Sequence, residues 1–502
     1  MPENKTEKNR AAEIANTFEW LLTALILAFV FRAFVMEAFR IPTGSMADTL
    51  MGAHFRLRCS QCGYRYDHGF VPERYDYKQD TIPRGPVRAV LCRCPNCGHY
   101  QSVGGMMPIA GGDRILVLKC IYQFFQPKRW DVIVFKNPTE PRINFIKRLV
   151  ALPGETVEII DGDIYIDGQI SRKPPKVQDE LWMPVLDNDY QPVNPNEPSF
   201  NRHTWQQPFK NIGNSKWRLA RDRPSLFMLD CHPEQMNTLV YDTSVGNDLR
   251  AAHAYDDVRE YSHMPYCSDL MVRYYAYATG KDGHIGIGLS KYQTRYSARV
   301  NLEGEMVIEK TLKDKQITLA RKSIKPNIYN KPTLVKFANV DHQLIFQVGD
   351  EELTYELGRG PNDAGPRRTE TPPEVRIFGS GKLTLSHIAI FRDIQYTGSK
   401  FANNRQTGRA VEGNPLTLGE DEFFVLGDNS PNSEDGRWWG EPGEGNNSRF
   451  YRAGIVPRDY LVGKALFVYW PSCFKPFGKS SFVLVPNLGQ QRFIYGGSSK
   501  RL

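Results

Sequence analysis

"NFIKRLVALPGETVEIIDGDIYIDG", Asn144 to Gly168, consists of short Val-, Ile- and Leu-rich runs cut by Pro-Gly and Asp-Gly pairs. Runs of this length closed by turn formers predict β-hairpins, not helices. The same texture lies upstream in "DRILVLK" (113–119) and "DVIVFK" (131–136). It returns far downstream in "DEFFVLGDN" (421–429), "LVGKALFVYW" (461–470) and "SFVLVPN" (481–487). A mainly β domain in two distant sequence halves is therefore expected. Within "NFIKRLV" the two-residue period of a strand sets Lys147 on one face with Phe145 and Leu149, and Arg148 on the other. An ammonium among apolar neighbours is desolvated and loses its proton more readily, which can turn a lysine into a general base. A strand lysine that merely snorkels to water is the plainer reading.

The halves are separated by a change of composition. A Pro-, Asn- and Trp-rich stretch leads into alternating segments such as "GEMVIEKTL" and "PTLVKFANVDHQLIFQVGD". Alternation of this kind predicts an inserted antiparallel β-sandwich, concanavalin- or laminin-G-like in pattern. A smaller insertion carries "CSQCG" and "CPNCG", with Cys59, Cys62, Cys94 and Cys97 in two C-x2-C-Gly turns. Two such turns aim four thiolates at one tetrahedral ion, so a structural zinc-ribbon-like site is expected. Disulfides are the competing reading, which gains weight outside the cytoplasm. Cys92 is a spare thiol, and His68 and His99 are alternative ligands.

At 502 residues the chain has room for roughly two to four domains. Its net charge of +8 is spread among interleaved acids and bases, without the basic tracts of a nucleic-acid binder. "FEWLLTALILAFVFRAFVMEAF", Phe18 to Phe39, suits a spanning helix if Arg32 snorkels to the interface. The residues after its apolar run are too bulky for a cleaved leader, so an uncleaved anchor is expected. Lys5, Lys8 and Arg10 before it balance Arg40, Arg56 and Arg58 after it, so charge leaves the orientation open.

Four boxes then fall in order after the anchor: "IPTGSMADTL" (41–50), "GDRILVLK" with "RWDVIVFKNP", "FIKRLVALPGETVEI" (145–159), and "VLGDNSPNSEDGRWWG" with "VPRDYLVGKA". This series resembles the bacterial type I signal peptidases (leader peptidases), whose serine–lysine dyad cuts signal peptides from translocated preproteins. The resemblance implies a signal-peptidase-like β catalytic domain on one N-terminal transmembrane helix. Ser45 is then the nucleophile and Lys147 its base, with the Ser45 N–H and the Thr43 hydroxyl forming the oxyanion hole. Ser433 would orient the Lys147 ammonium, Asp435 and Arg437 would pair, Asp428 would support them, and Met46 would pack beside the nucleophile.

No cofactor is implied for catalysis. The implied partners are signal peptides with small residues at −1 and −3, the lipid bilayer and the protein translocation machinery. The implied location is the cytoplasmic membrane, single-pass, with the catalytic domain on the extracytoplasmic side. Asp48 stands where the family usually has Pro, Thr43 where Ser is commonest, and Ser430-Pro431 where charges are common.

The expected organisation is a polar segment (1–17), the anchor (18–39), a catalytic domain (40–58, 100–175, 411–490), the ribbon-like insertion (59–99), the inserted β domain (176–410) and a tail (491–502). The sandwich is expected to contact a partner or the cell envelope and to be dispensable for cleaving a short signal peptide. The alternative function is a non-catalytic membrane-tethered binding protein built on an inactive peptidase scaffold.

Overall fold

The computed structural model describes residues 5–78, 81–83, 85–88, 91–101, 105–256, 264–313, 315–325, 328–398, 407–444, 450–471 and 488–497. The "SFVLVPN" segment lies outside them.

An N-terminal helix runs from Lys5 to Val30 and closes with a wider turn, Phe31–Val35. Over Ala12–Val35 it is long and apolar enough to cross a membrane, and none of it is buried in protein. Apolar side chains all round a helix with no protein cover suit lipid. The anchor was expected to reach Phe39, but the chain leaves the helix at Met36. Met36–Arg40 is a strand paired with Arg114–Leu118, and Glu37 forms an ion pair with Lys119 at 3.1 Å. Phe39 packs on the core of that sheet. Apolar composition cannot separate the last turn of a spanning helix from a first strand that packs an aromatic residue on the sheet's core.

The two sequence halves meet in one antiparallel sheet. Its order is Met36–Arg40, Arg114–Leu118, Leu461–Trp470, Val132–Lys136, Asn144–Ala151, Glu422–Leu426 and Val456–Pro457. Arg492–Phe493 adds to Leu461–Trp470, and Ile494 enters the core, so the expected tail begins as part of this sheet. A four-stranded sheet, Gln169–Ile170, Asp163–Ile166, Thr156–Ile160 and Leu416–Thr417, stands beside it.

The insertion is a two-sheet sandwich of eight and seven strands around a shared apolar core. Thr294–Asn301 shows why: its residues alternate strictly between buried and half-buried, as a strand with one covered face must. The sandwich strands run from Met183 to Arg392, a narrower span than 176–410. The helix Pro175–Leu181 and the residues Ile394, Tyr396 and Ala410 bury instead into the core shared with Val157, Ile159 and Ile164 of the four-stranded sheet.

The ribbon unit is wider than 59–99. Its first hairpin, His54–Arg58 with Arg65–Gly69, starts before the cysteines, and Phe200 from the large insertion completes its core.

Candidate active site

The Ser45 turn joins the Met36–Arg40 strand to the ribbon hairpin. Met46 and Leu50 are fully buried against Ile41, Ile115, Val117 and Val134, which pins the turn from beneath. Asp113 ties its ends: Ile41 N donates to Asp113 O at 2.8 Å and Met51 N to Asp113 Oδ2 at 3.1 Å. Asn429 N donates to Ser45 O at 3.0 Å. Gly427 lies so close that a Cβ there would stand 2.4 Å from Ser45 O and 2.2 Å from Ser433 Oγ. That proximity requires glycine at this position of the box.

Lys147 comes from the centre of the large sheet, paired in register with Ile133. Its Nζ lies 2.7 Å from Ser45 Oγ, close enough for one hydrogen bond in either protonation state. Phe145 lies beneath the ammonium, with Nζ 5.4 Å from its ring centre. Phe145 and Leu149 share one cluster with Trp439. Lys147 is only 4% exposed, and burial lowers its pKa from 10.5 to about 8, against the raising influence of Asp435, Asp428 and Glu434. A fraction of this lysine is therefore neutral near neutral pH. Among the described residues neither the Ser45 N–H nor the Thr43 hydroxyl donates a hydrogen bond, so both donors are open to an incoming acceptor.

Asp435 and Arg437 form a buried bidentate pair at 2.9 and 2.7 Å. Gly427 N also donates to Asp435 Oδ2 at 3.0 Å, so the pair holds the loop over Ser45. Arg437 donates to Ser430 Oγ and to Thr397 O, both at 2.7 Å. Ser430, at the point where the loop departs from the usual pattern, is thereby built into the support. Ser433 is buried, but its hydroxyl finds no hydrogen-bond partner among the described residues and makes no bond to Lys147.

Asp428 takes part through a residue that sequence reasoning passed over. Arg148, fully buried, donates to both Asp428 oxygens at 2.8 and 2.7 Å. Alternation set Arg148 opposite Lys147 but said nothing of what covers that face. A guanidinium in a strand flanked by neighbours on both edges was the available signal, because it must find a buried anion.

The four cysteines meet at the ribbon. Cys59 and Cys97 Sγ lie 3.6 Å apart, Cys62 and Cys94 Sγ 3.7 Å, and all four fall within 4.8 Å of one another. The two turns are copies: Gly63 N donates to Cys59 O and Gly98 N to Cys94 O, each at 3.0 Å, with the glycines at φ +76° and +75°. Sulfurs about 2.3 Å from a tetrahedral ion stand about 3.8 Å apart, so this cluster fits a metal. A disulfide would need sulfurs about 2.05 Å apart. Cys92 is buried outside the four, and His68 and His99 bond to Ala254 O and to Ser199 Oγ instead.

The family Signal peptidase, peptidase S26, matches residues 88–207 and 383–470. The chain is 34% identical over 111 residues to a probable signal peptidase I-1 of Synechocystis sp., covering 20% of this chain and 57% of that protein. It is 27% identical over 157 residues to signal peptidase I of Rickettsia canadensis, covering 31% and 44%. It is 42% identical over 80 residues to that of Leptolyngbya laminosa, covering 14% and 39%. The chain thus spans about half the length of the curated relatives it matches. Among solved structures, the carbohydrate binding module CBM66 from Bacillus subtilis matches with a TM-score of 0.25 at 8% identity, covering 37% of this chain and 95% of that one. A likeness this weak carries no argument.

Proposed function

Since the chain belongs to the signal peptidase family, peptidase S26, we propose that it is a membrane-bound serine endopeptidase that removes N-terminal signal peptides from translocated preproteins. The observation that carries this reading is the 2.7 Å contact between a buried, pKa-lowered lysine and a serine on a membrane-proximal turn. Neutral Lys147 takes the Ser45 proton as Oγ attacks the scissile carbonyl. The oxyanion accepts from the Ser45 N–H and the Thr43 hydroxyl, each donor contributing about 3 kcal/mol to the transition state. The Lys147 ammonium returns its proton to the leaving amine, and the neutral lysine then activates the water that releases the acyl group. Asp435 with Arg437, and Asp428 with Arg148, hold the loop and strand that frame the dyad. In this scheme Ser433 would turn its free hydroxyl toward Lys147 during turnover.

The helix over Ala12–Val35 would anchor the chain in the cytoplasmic membrane. The peptidase sheet would then lie just outside the bilayer, where a signal peptide emerges with small residues at −1 and −3, beside the translocation machinery. The ribbon would hold zinc through Cys59, Cys62, Cys94 and Cys97 as a closed structural site. The non-catalytic alternative has no observation in its favour.

Ser45→Ala and Lys147→Met proteins, assayed on a preprotein in detergent, are each expected to lose cleavage. Normal processing by either variant would sink the dyad. Metal analysis is expected to give one zinc per chain in the native protein and none in Cys59→Ser/Cys94→Ser. A native protein without metal, or with these thiols oxidised, would reject the site.

A further inference from the structure

The Ser45 turn is not held by the peptidase fold alone. Tyr255 and Asp256, from the large insertion, lie against it and against the loop that holds it. The Tyr255 ring covers Gly44, the residue before the nucleophile: a Cβ at Gly44 would stand 2.0 Å from Tyr255 Cε1. The same ring also lies against Gly69 of the ribbon hairpin, where a Cβ would stand 2.3 Å from Cε1. Tyr255 Oη donates to Ala53 O at 2.8 Å, and Gly69 N donates to Tyr255 O at 2.8 Å. The neighbouring Asp256 is buried and accepts from Asn429 Nδ2 at 2.7 Å. The Asn429 N–H in turn donates to Ser45 O. Two hydrogen bonds, linked through Asn429 itself, therefore connect Asp256 to the backbone of Ser45.

We propose that Tyr255 and Asp256 are positioning residues for the nucleophile, so that the inserted domain completes the active site of the peptidase. The proposal rests on the Ser45–Lys147 reading. Tyr255 acts as a wedge: its ring fills the space that any side chain at Gly44 would take and clamps the turn between the ribbon and the sheet. Asp256 fixes the Asn429 side chain, and with it the loop whose N–H holds Ser45 O. A serine displaced by a fraction of its hydrogen-bond length from Lys147 loses its base, and a misplacement of about 1 Å can cost about a hundredfold in rate. The insertion is then not dispensable, contrary to what its composition and sequence position suggest.

The test compares full-length Tyr255→Ala, Asp256→Ala, Asp256→Asn and Gly44→Ala with Gly44→Ala/Tyr255→Ala, reading kcat, KM and thermal midpoint on a signal-peptide substrate. The two alanine variants at 255 and 256 are expected to lose about tenfold or more in kcat, with KM within about twofold. Asp256→Asn, which keeps an acceptor for Asn429, falls between them and the native protein. Gly44→Ala crowds the ring and loses activity, and removing the ring in the double variant restores part of it. Native kcat in both alanine variants while Ser45→Ala is inactive would overturn the proposal and leave the dyad standing. Cleavage by Ser45→Ala would overturn the dyad first. Should Asp256→Ala melt early, the Gly44 pair decides: a double variant no better than Gly44→Ala overturns the proposal.

Discussion

On the proposed dyad reading, Lys147 exchanges stability for chemistry. Its pKa is about 8 in the folded protein against 10.5 for a free lysine. Between those values the unfolded chain binds the extra proton, so stability rises with pH across the window, and below about pH 8 the full cost of the buried ammonium is present. Lys147→Met is therefore expected to gain up to about 3 kcal/mol at pH 7 while abolishing cleavage. Denaturant melts at pH 7 and pH 10.5 check this: the gain should shrink at the higher pH, and an equal gain at both would refute the burial argument. If Lys147 is the base, kcat/KM of the native protein on a signal-peptide substrate should climb as pH passes about 8. Lys147 was legible because a strand period and apolar neighbours suffice to place one side chain on one face. Its contact with Ser45 was legible only through resemblance, since 101 residues intervene between them and no local rule spans such a gap. Tyr255 and Asp256 were not legible at all, because an isolated aromatic–acid pair in a polar stretch carries no periodic signal.

At the scale of the element, the Asn144–Ala151 strand serves two faces at once, with Lys147 toward Ser45 and Arg148 toward Asp428. A fully buried ion pair is costly to half-remove. Arg148→Met should lose about 3–5 kcal/mol by leaving Asp428 without its cation. Arg148→Met/Asp428→Leu should recover much of that loss, because no buried charge then remains. Chemical denaturation of the three proteins measures the difference, and equal stability of the single and double variants would show that the pair is not what the strand depends on. The strands were legible from branched residues and turn formers. Their edges were less so: Met36–Arg40 reads as helix by composition and becomes strand only because Arg114–Leu118 offers it a free edge. The ribbon's extent was hidden for a similar reason, as Phe200 joins its core from more than a hundred residues away.

At the scale of the molecule, the sandwich must be docked firmly if Tyr255 and Asp256 are to hold the Ser45 turn. The seam contains a buried ion network. Lys173 of the peptidase side reaches Asp341 at 2.5 Å and Asp393 at 2.8 Å. Lys291 pairs with Asp269 and lies 3.6 Å from Asp163 of the four-stranded sheet. Asp341 N donates to Asp269 Oδ2 at 2.8 Å, which joins the two groups. Four acids and two lysines scattered over more than two hundred residues could not be grouped from sequence, although the sandwich strands themselves could. Burial raises the cost of breaking such a network, because each carboxylate stripped of its cation stays desolvated. Lys173→Met is therefore expected to lower stability by about 3–5 kcal/mol, to admit protease at the junctions of the inserted domain, and to reduce kcat by loosening Tyr255 and Asp256. The exposed pair of Lys382 with Asp230, 3.8 Å apart, is the matched control. Exposed pairs of this kind contribute about 0–1 kcal/mol, so Lys382→Met should leave stability and cleavage near native values. If Lys173→Met destabilises the chain but cleaves at the native rate, the seam supports the fold without carrying the sandwich's hold on the nucleophile. If kcat falls together with the protease resistance of the junctions, docking of the sandwich and alignment of Ser45 are one event.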